Sequence, residues 1–191
     1  GLGEVNKRQV NYWMHGEFLL NEKEKMSKSE GNFLTLELLI NKGYDPLDYR
    51  YLCLGAHYRS QLQFSEEVVS SARSGRLNLV DRLRRIREKS KLVSIDSIGD
   101  RADEYRKTIV GHFANDLNVT QALGTVWAML KDEDLSDGEK LAVAFDADRV
   151  FGIDLERLST PSSDLAPEYA ALIAEREEAR REKNFARADE I

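Results

Sequence analysis

Lys25 and Lys28 stand either side of Met26 and Ser27, and Ser29 follows, inside the stretch EKMSKSEGN at residues 24 to 32. Two ammonium groups on one loop can close over an anion. A lysine is a compact, mobile point charge, suited to neutralising charge as it develops on a leaving pyrophosphate. Gly31 lets backbone approach closely, and a helix beginning near it adds positive potential at its first turn. Met26 would serve as an apolar plug, while Ser27 and Ser29 would tie the loop's own backbone. Composition alone also allows a solvated charged turn, since Glu22, Glu24 and Glu30 nearly balance Lys23, Lys25 and Lys28.

Further along, Arg82, Arg84, Arg85, Arg87, Lys89 and Lys91 crowd into ten residues with one acid, Glu88. The run is either the wet face of a long helix or a stripe that meets an RNA backbone, in which case affinity would fall steeply with salt. His57, Tyr58 and Arg59 set an aromatic beside cations, which suits RNA or simple helix packing. Cys53 and His57 are four apart, as metal ligands can be, yet Cys53 sits in Tyr51-Leu52-Cys53-Leu54 and is expected to be a buried structural thiol. His15 and His112 have no companions at metal spacing, so no metal ligands are assigned. Phe113 and Trp127 have apolar neighbours at helical spacing and are expected in the core. Arg176, Arg180, Arg181 and Arg187 interleave with glutamates and are expected to pair with them.

The elements that must position these groups are mainly helical. Val10, Tyr12, Trp13 and Met14, then Phe18, Leu19 and Leu20, flank Gly16 and suggest a strand or hairpin. A helix through Leu34 to Ile40 should stop at Asn41-Lys42-Gly43, and Asp45-Pro46 should start the next. Ser65-Glu66-Glu67 opens a long helix running to about Val93. Tyr105, Ile109 and Phe113 mark another, and Val119, Leu123, Val126 and Leu130 a third. Ser136-Asp137-Gly138-Glu139 is a capping box for a helix closing near Gly152. The segment from Leu158 to Pro167 suggests a linker, with a further helix beyond it.

The chain has 191 residues, 41% hydrophobic and 32% charged, enough for one or two packed domains. Its formal charge of -6 argues against a generic nucleic-acid coat protein but does not exclude a local basic face. No apolar run reaches bilayer length and no secretory leader is visible in the first twenty residues, so no membrane partner is expected. A single cysteine fits a reducing, cytoplasmic setting. The absence of an initiator methionine and a close in mid-helix pattern read as a piece of a longer protein.

Lys25-Met26-Ser27-Lys28-Ser29 is the KMSKS signature of class I aminoacyl-tRNA synthetases. Around it, Tyr12-Trp13-Met14-His15, Tyr44-Asp45-Pro46, His57-Tyr58-Arg59-Ser60 and Phe64-Ser65-Glu66-Glu67 resemble cysteinyl-tRNA synthetase, and the tail from Ala179 to Asp189 is similar to that family's last helix pair. The turn at residues 114–120 resembles the family's acidic-aromatic-asparagine-threonine-proline turn, with leucine and valine intruding and the proline absent.

The resemblance implies a mainly α fold. A short mixed stem-contact region carrying the KMSKS loop would span residues 1–64, an anticodon-side α-helical bundle 65–160, and the start of a truncated C-terminal helical domain 161–191. It implies a cysteine-tRNA ligase that activates cysteine with ATP and magnesium, then transfers it to tRNA(Cys). Lys28 and Lys25 would be the catalytic lysines, with Lys25, Met26, Ser27, Lys28 and Ser29 binding ATP. His57, Tyr58, Arg59, Arg82, Arg84 and Arg85 would contact tRNA. The Rossmann half, the HIGH motif and the zinc ligands for the cysteine thiolate would lie before Gly1, so this chain by itself is expected to be inactive and the parent monomeric. The other readings are the cysteine ligase of mycothiol synthesis, whose tail differs, and a non-catalytic RNA-binding module.

Overall fold

In the computed structural model the described residues are 12–21 and 35–160, with the single positions 175, 176, 181 and 187. Local chemistry sets most helix boundaries. Strand β1 (Leu19–Asn21) precedes helix α1 (Leu36–Asn41), which Thr35 caps by accepting from the Leu38 N–H; Gly43, at φ 83°, follows its end. Helix α2 (Pro46–Leu54) starts on a capping box between Asp45 and Asp48, with Pro46 in the first turn where a missing N–H costs nothing. Strand β2 (Leu62–Phe64) then leads to Ser65, whose hydroxyl caps the 24-residue helix α3 (Glu66–Lys89).

The strands pair in parallel, Leu19 with Leu62, Leu20 with Gln63 and Asn21 with Phe64. Of the expected strand or hairpin about Gly16, the strand forms at Leu19 and Leu20 and the hairpin does not: Gly16 does not turn one strand back on another, and residues 12–18 carry no regular structure. The partner of β1 lies more than forty positions on, because a parallel pair needs a crossover, here supplied by α2.

Beyond α3, which stops at Lys89 rather than running on to Val93, a 3-10 turn at Ile95–Ser97 leads to α4 (Asp100–Ala114), α5 (Val119–Lys131), α6 (Asp137–Phe151) and α7 (Leu155–Leu158). The capping box on α6 forms as its sequence predicts, and Gly152 closes that helix at φ 60°. The short α7 was masked in the sequence by its neighbouring linker signals. Asp148 accepts from the N–H groups of Ile153 and Leu155, so the chain turns directly from α6 into it.

Two apolar clusters hold these elements. The larger draws Leu79, Leu83 and Ile86 from α3, Ile109 from α4, Val126 and Met129 from α5, and Leu141 and Phe151 from α6. Phe113 and Trp127 are partly buried against it, and Phe113 meets Phe151 edge to face at 5.5 Å. The smaller joins Leu39, Leu52, Phe64 and Val69. Helix α3 serves both, its first turns in the smaller cluster and the rest in the larger. One compact unit runs to Ser159 and a second begins at Thr160, within which Arg187 pairs with Glu175 at 2.6 Å. Among the described residues no helix is long and apolar enough to cross a membrane.

Candidate functional site

Lys25, Met26, Ser27, Lys28 and Ser29 lie outside the described residues. The elements on either side of them are described. β1 is held in register against β2 up to Asn21, and Thr35 begins α1. The smaller apolar cluster fixes both, since Leu19 packs on it and Leu39 is part of it.

At the entrance to β2 the structure gathers His57, Tyr58 and Arg59 about Asp116, in the turn between α4 and α5. The Tyr58 hydroxyl donates to Asp116 Oδ1 at 2.6 Å, Arg59 Nη2 donates to the same oxygen at 3.1 Å, and Arg59 Nε lies 3.0 Å from Asp116 Oδ2. Arg59 Nε also donates to the Tyr58 hydroxyl at 2.9 Å, and the guanidinium rests over the Tyr58 ring. His57 Nδ1 accepts from the Arg59 N–H, so Nε2 carries the ring proton and donates to the Asp116 carbonyl at 2.9 Å. The Tyr58 hydroxyl, then the Arg59 charge, hold the Asp116 carboxyl below its ordinary range. The same segment anchors residues before β1, because the Tyr58 carbonyl accepts from the Glu17 N–H at 2.8 Å.

Asp116 is the residue sequence reading missed. Its place in a turn resembling a family motif was visible, but a partner 57 positions away leaves no local signature.

The basic run on α3 divides by partner. Arg82 donates to the Leu130 carbonyl and Arg84 to the Leu158 carbonyl, both at 3.0 Å, and Arg87 donates to the Glu156 carbonyl at 2.7 Å. These are carbonyls at the ends of α5 and α7, the groups a helix leaves unpaired, and a cation there also complements the helix dipole. Arg85, exposed like Lys89 and Lys91, pairs with Asp81 at 2.9 Å. Half of the run therefore fastens helices together.

Cys53 corrects the expectation of a buried thiol: it is exposed. On α2, Leu52 faces the smaller core and Cys53 is rotated away from it. Its thiol is nonetheless pushed up by partial burial, against which a Tyr49 hydrogen bond works. His15 stacks on Trp13 with the rings 7° from parallel. Among the described residues no three His, Cys, Asp or Glu side chains converge as a metal site needs.

A family model for the catalytic domain of class I (C) tRNA synthetases matches residues 2–74. A cysteine-tRNA ligase of Borreliella burgdorferi (strain ZS7) is 36% identical over 200 residues, covering 98% of this chain and 42% of the relative. One of Treponema denticola is 36% identical over 213 residues, covering 99% and 43%, and one of Novosphingobium aromaticivorans is 35% identical over 199 residues, covering 100% and 40%. The chain thus spans about two-fifths of the length of these relatives.

Proposed function

The chain belongs to the cysteinyl-tRNA synthetase family, and on that premise we propose that its parent protein is a cytoplasmic, monomeric cysteine-tRNA ligase. It would activate cysteine with ATP to cysteinyl-adenylate and carry the cysteinyl group to tRNA(Cys). The observation that carries this reading is the likeness to cysteine-tRNA ligases along 98% of the chain.

In this reading residues 1–64 are the loop-bearing stem-contact region, 65–160 the anticodon-side bundle and 161–191 the start of a further helical domain. Lys28 lies against the phosphates of ATP and stabilises the charge that develops on pyrophosphate as it leaves, and Lys25 assists. Met26, Ser27 and Ser29 shape the loop and complete the ATP contacts. Magnesium would accompany ATP as part of the substrate. The β1–β2 pair supports the assignment, because it gives the chain a fixed approach to this stretch. The exposed cation Arg85 would meet the tRNA backbone beside Arg82 and Arg84. The described residues offer no ligand set for the zinc that the family implies, so no step here is routed through a metal.

The test is Lys28→Ala in the full-length parent. Adenylate formation should fall by roughly a hundredfold or more while cysteine affinity changes little, as for a group that acts on the transition state. Equal loss in both sinks the role of Lys28. Cysteine transfer to an amino sugar instead of tRNA would move the parent to the mycothiol-pathway ligase, and no transfer at all would leave an RNA-binding module.

A further inference from the structure

The turn between α4 and α5 holds two successive non-glycine residues in the left-handed region, Asp116 at φ 55° and Leu117 at φ 52°. Aspartate tolerates that conformation; leucine does so at a cost, and the exposed Leu117 side chain gains little burial in exchange. Such backbone persists only where surrounding contacts over-determine it. Within the turn the Leu117 N–H donates to the Phe113 carbonyl and the Asn118 N–H to the His112 carbonyl; from outside it, the contacts on Asp116 come from one short segment. His57 holds the Asp116 carbonyl, while Tyr58 and Arg59 hold its carboxylate, so both the backbone and the side chain of Asp116 are fixed from outside the turn.

The location gives the clamp its meaning. His57, Tyr58 and Arg59 fall within residues 2–74, which match the catalytic-domain model, and Asp116 lies beyond that match. Nearby, the Thr120 hydroxyl donates to the Leu54 carbonyl at 3.3 Å, a second bond between the two portions. Elsewhere the two portions share α3, which runs through both apolar clusters, Tyr51 and Leu54 of α2 pack against the larger cluster, and Arg50 reaches from α2 to the Phe151 carbonyl. A shared helix fixes direction but leaves rotation about its own axis to be settled by other contacts. A clamp between residues that both lie off that helix restrains the rotation.

We propose that Asp116 is a positioning residue for aminoacyl transfer: through His57, Tyr58 and Arg59 it fixes the catalytic-domain portion against the helical bundle, so that an RNA held on the bundle presents its acceptor end in register. The inference rests on the ligase reading above. Asp116 touches neither ATP nor cysteine in this scheme, so activation does not depend on it and transfer to RNA does.

The experiment uses the full-length parent with Asp116→Asn and, separately, Tyr58→Phe. Asparagine keeps the tolerance for left-handed backbone and removes the charge; phenylalanine removes one hydroxyl from the cluster. Cysteine-dependent ATP–pyrophosphate exchange reads activation, and charging of tRNA(Cys) reads transfer. Charging should fall roughly ten- to a hundredfold in Asp116→Asn, and by a smaller factor in Tyr58→Phe, with exchange held within about twofold. Charging at the parental rate in both variants overturns the proposal, and so does a parallel loss of exchange and charging. Should Asp116→Asn fail to fold by circular dichroism, Tyr58→Phe decides between the same outcomes. An unmodified parent that does not charge tRNA at all defeats the ligase reading itself, a result distinct from loss confined to the variants.

Discussion

Asp48 has no solvent contact, and such a carboxylate is tolerable only where hydrogen bonds and an opposite charge replace water. Arg76 Nε donates to its Oδ1 at 2.8 Å and is itself nearly buried, while the Asp45 N–H donates to Oδ2 at 3.0 Å. One side chain therefore completes the cap of α2 and locks that helix to α3. Asp48→Ala should lower stability by about 3–5 kcal/mol, because the nearly buried Arg76 charge loses its close partner and keeps only the Asp45 carboxylate at 3.9 Å. In urea unfolding of the chain, the double variant Asp48→Leu with Arg76→Met should recover most of that loss, since removing both charges removes the desolvation penalty with them. A double variant no more stable than Asp48→Ala would contradict this account. The cap was legible, because Asp45-Pro46 with Asp48 three positions on is a local pattern; the lock was not, because Arg76 is 28 positions away. Cys53 shows the reverse failure, for its apolar neighbours in sequence said nothing of which way the α2 helix faces.

Helix boundaries set by single residues were the most readable elements. Asp45, Ser65 and Ser136 each cap the helix that follows, and Gly43 and Gly152 take the left-handed backbone that ends one; the Thr35 cap of α1 was not read, because the apolar run carries the helical pattern back through Leu34. Strand pairing was not readable, since a three-residue strand has too few alternations to name its partner or its direction. Gly138 was seen only as part of a capping box, whereas its structural reason is close approach. A Cβ there would lie 2.7 Å from the Lys91 carbonyl oxygen and 2.9 Å from a Val93 methyl. Helix propensity favours alanine over glycine by about 1 kcal/mol. The clash opposes it, and because the nearest atom is backbone, α6 or the 91–93 segment must shift. Gly138→Ala should therefore destabilise by about 1–3 kcal/mol, whereas Gly111→Ala, at an exposed position on α4 with nothing near its Cβ, should stabilise by about 0.5–1 kcal/mol. Opposite signs in thermal unfolding bear the argument out; equal gains at both sites defeat it.

Across the unit that ends at Ser159, acid acts on carboxylates that tie separate elements together. Asp132, at the end of α5, accepts both guanidinium nitrogens of Arg101 at 2.9 and 3.1 Å and the Tyr105 hydroxyl at 2.9 Å, which joins α5 to α4. Glu139 accepts from the Ser136 hydroxyl and from the Gly99 N–H at 2.8 Å, which ties the start of α6 to the start of α4. Arg101 holds the Asp132 carboxyl below its ordinary range, Ser136 does the same for Glu139, and Tyr58 does it for Asp116. Each of these groups binds its proton more weakly when folded. Their contribution is complete above the ordinary carboxylate range near pH 4 and is lost as pH falls through the lower folded values. Asp148 has the opposite sign: burial raises its carboxyl, so acid relieves an unfavourable buried charge there and offsets part of the loss. With more of the described carboxylates lowered than raised, the urea midpoint should be nearly flat from pH 7 to 5 and fall between pH 4 and 3. Asp132→Asn isolates one contribution, being less stable than the parent sequence at pH 7 and approaching it at pH 3, where the parent's own carboxylate is becoming protonated. Curves that stay parallel through the acid range would show that Asp132 gains nothing from ionisation in the folded state.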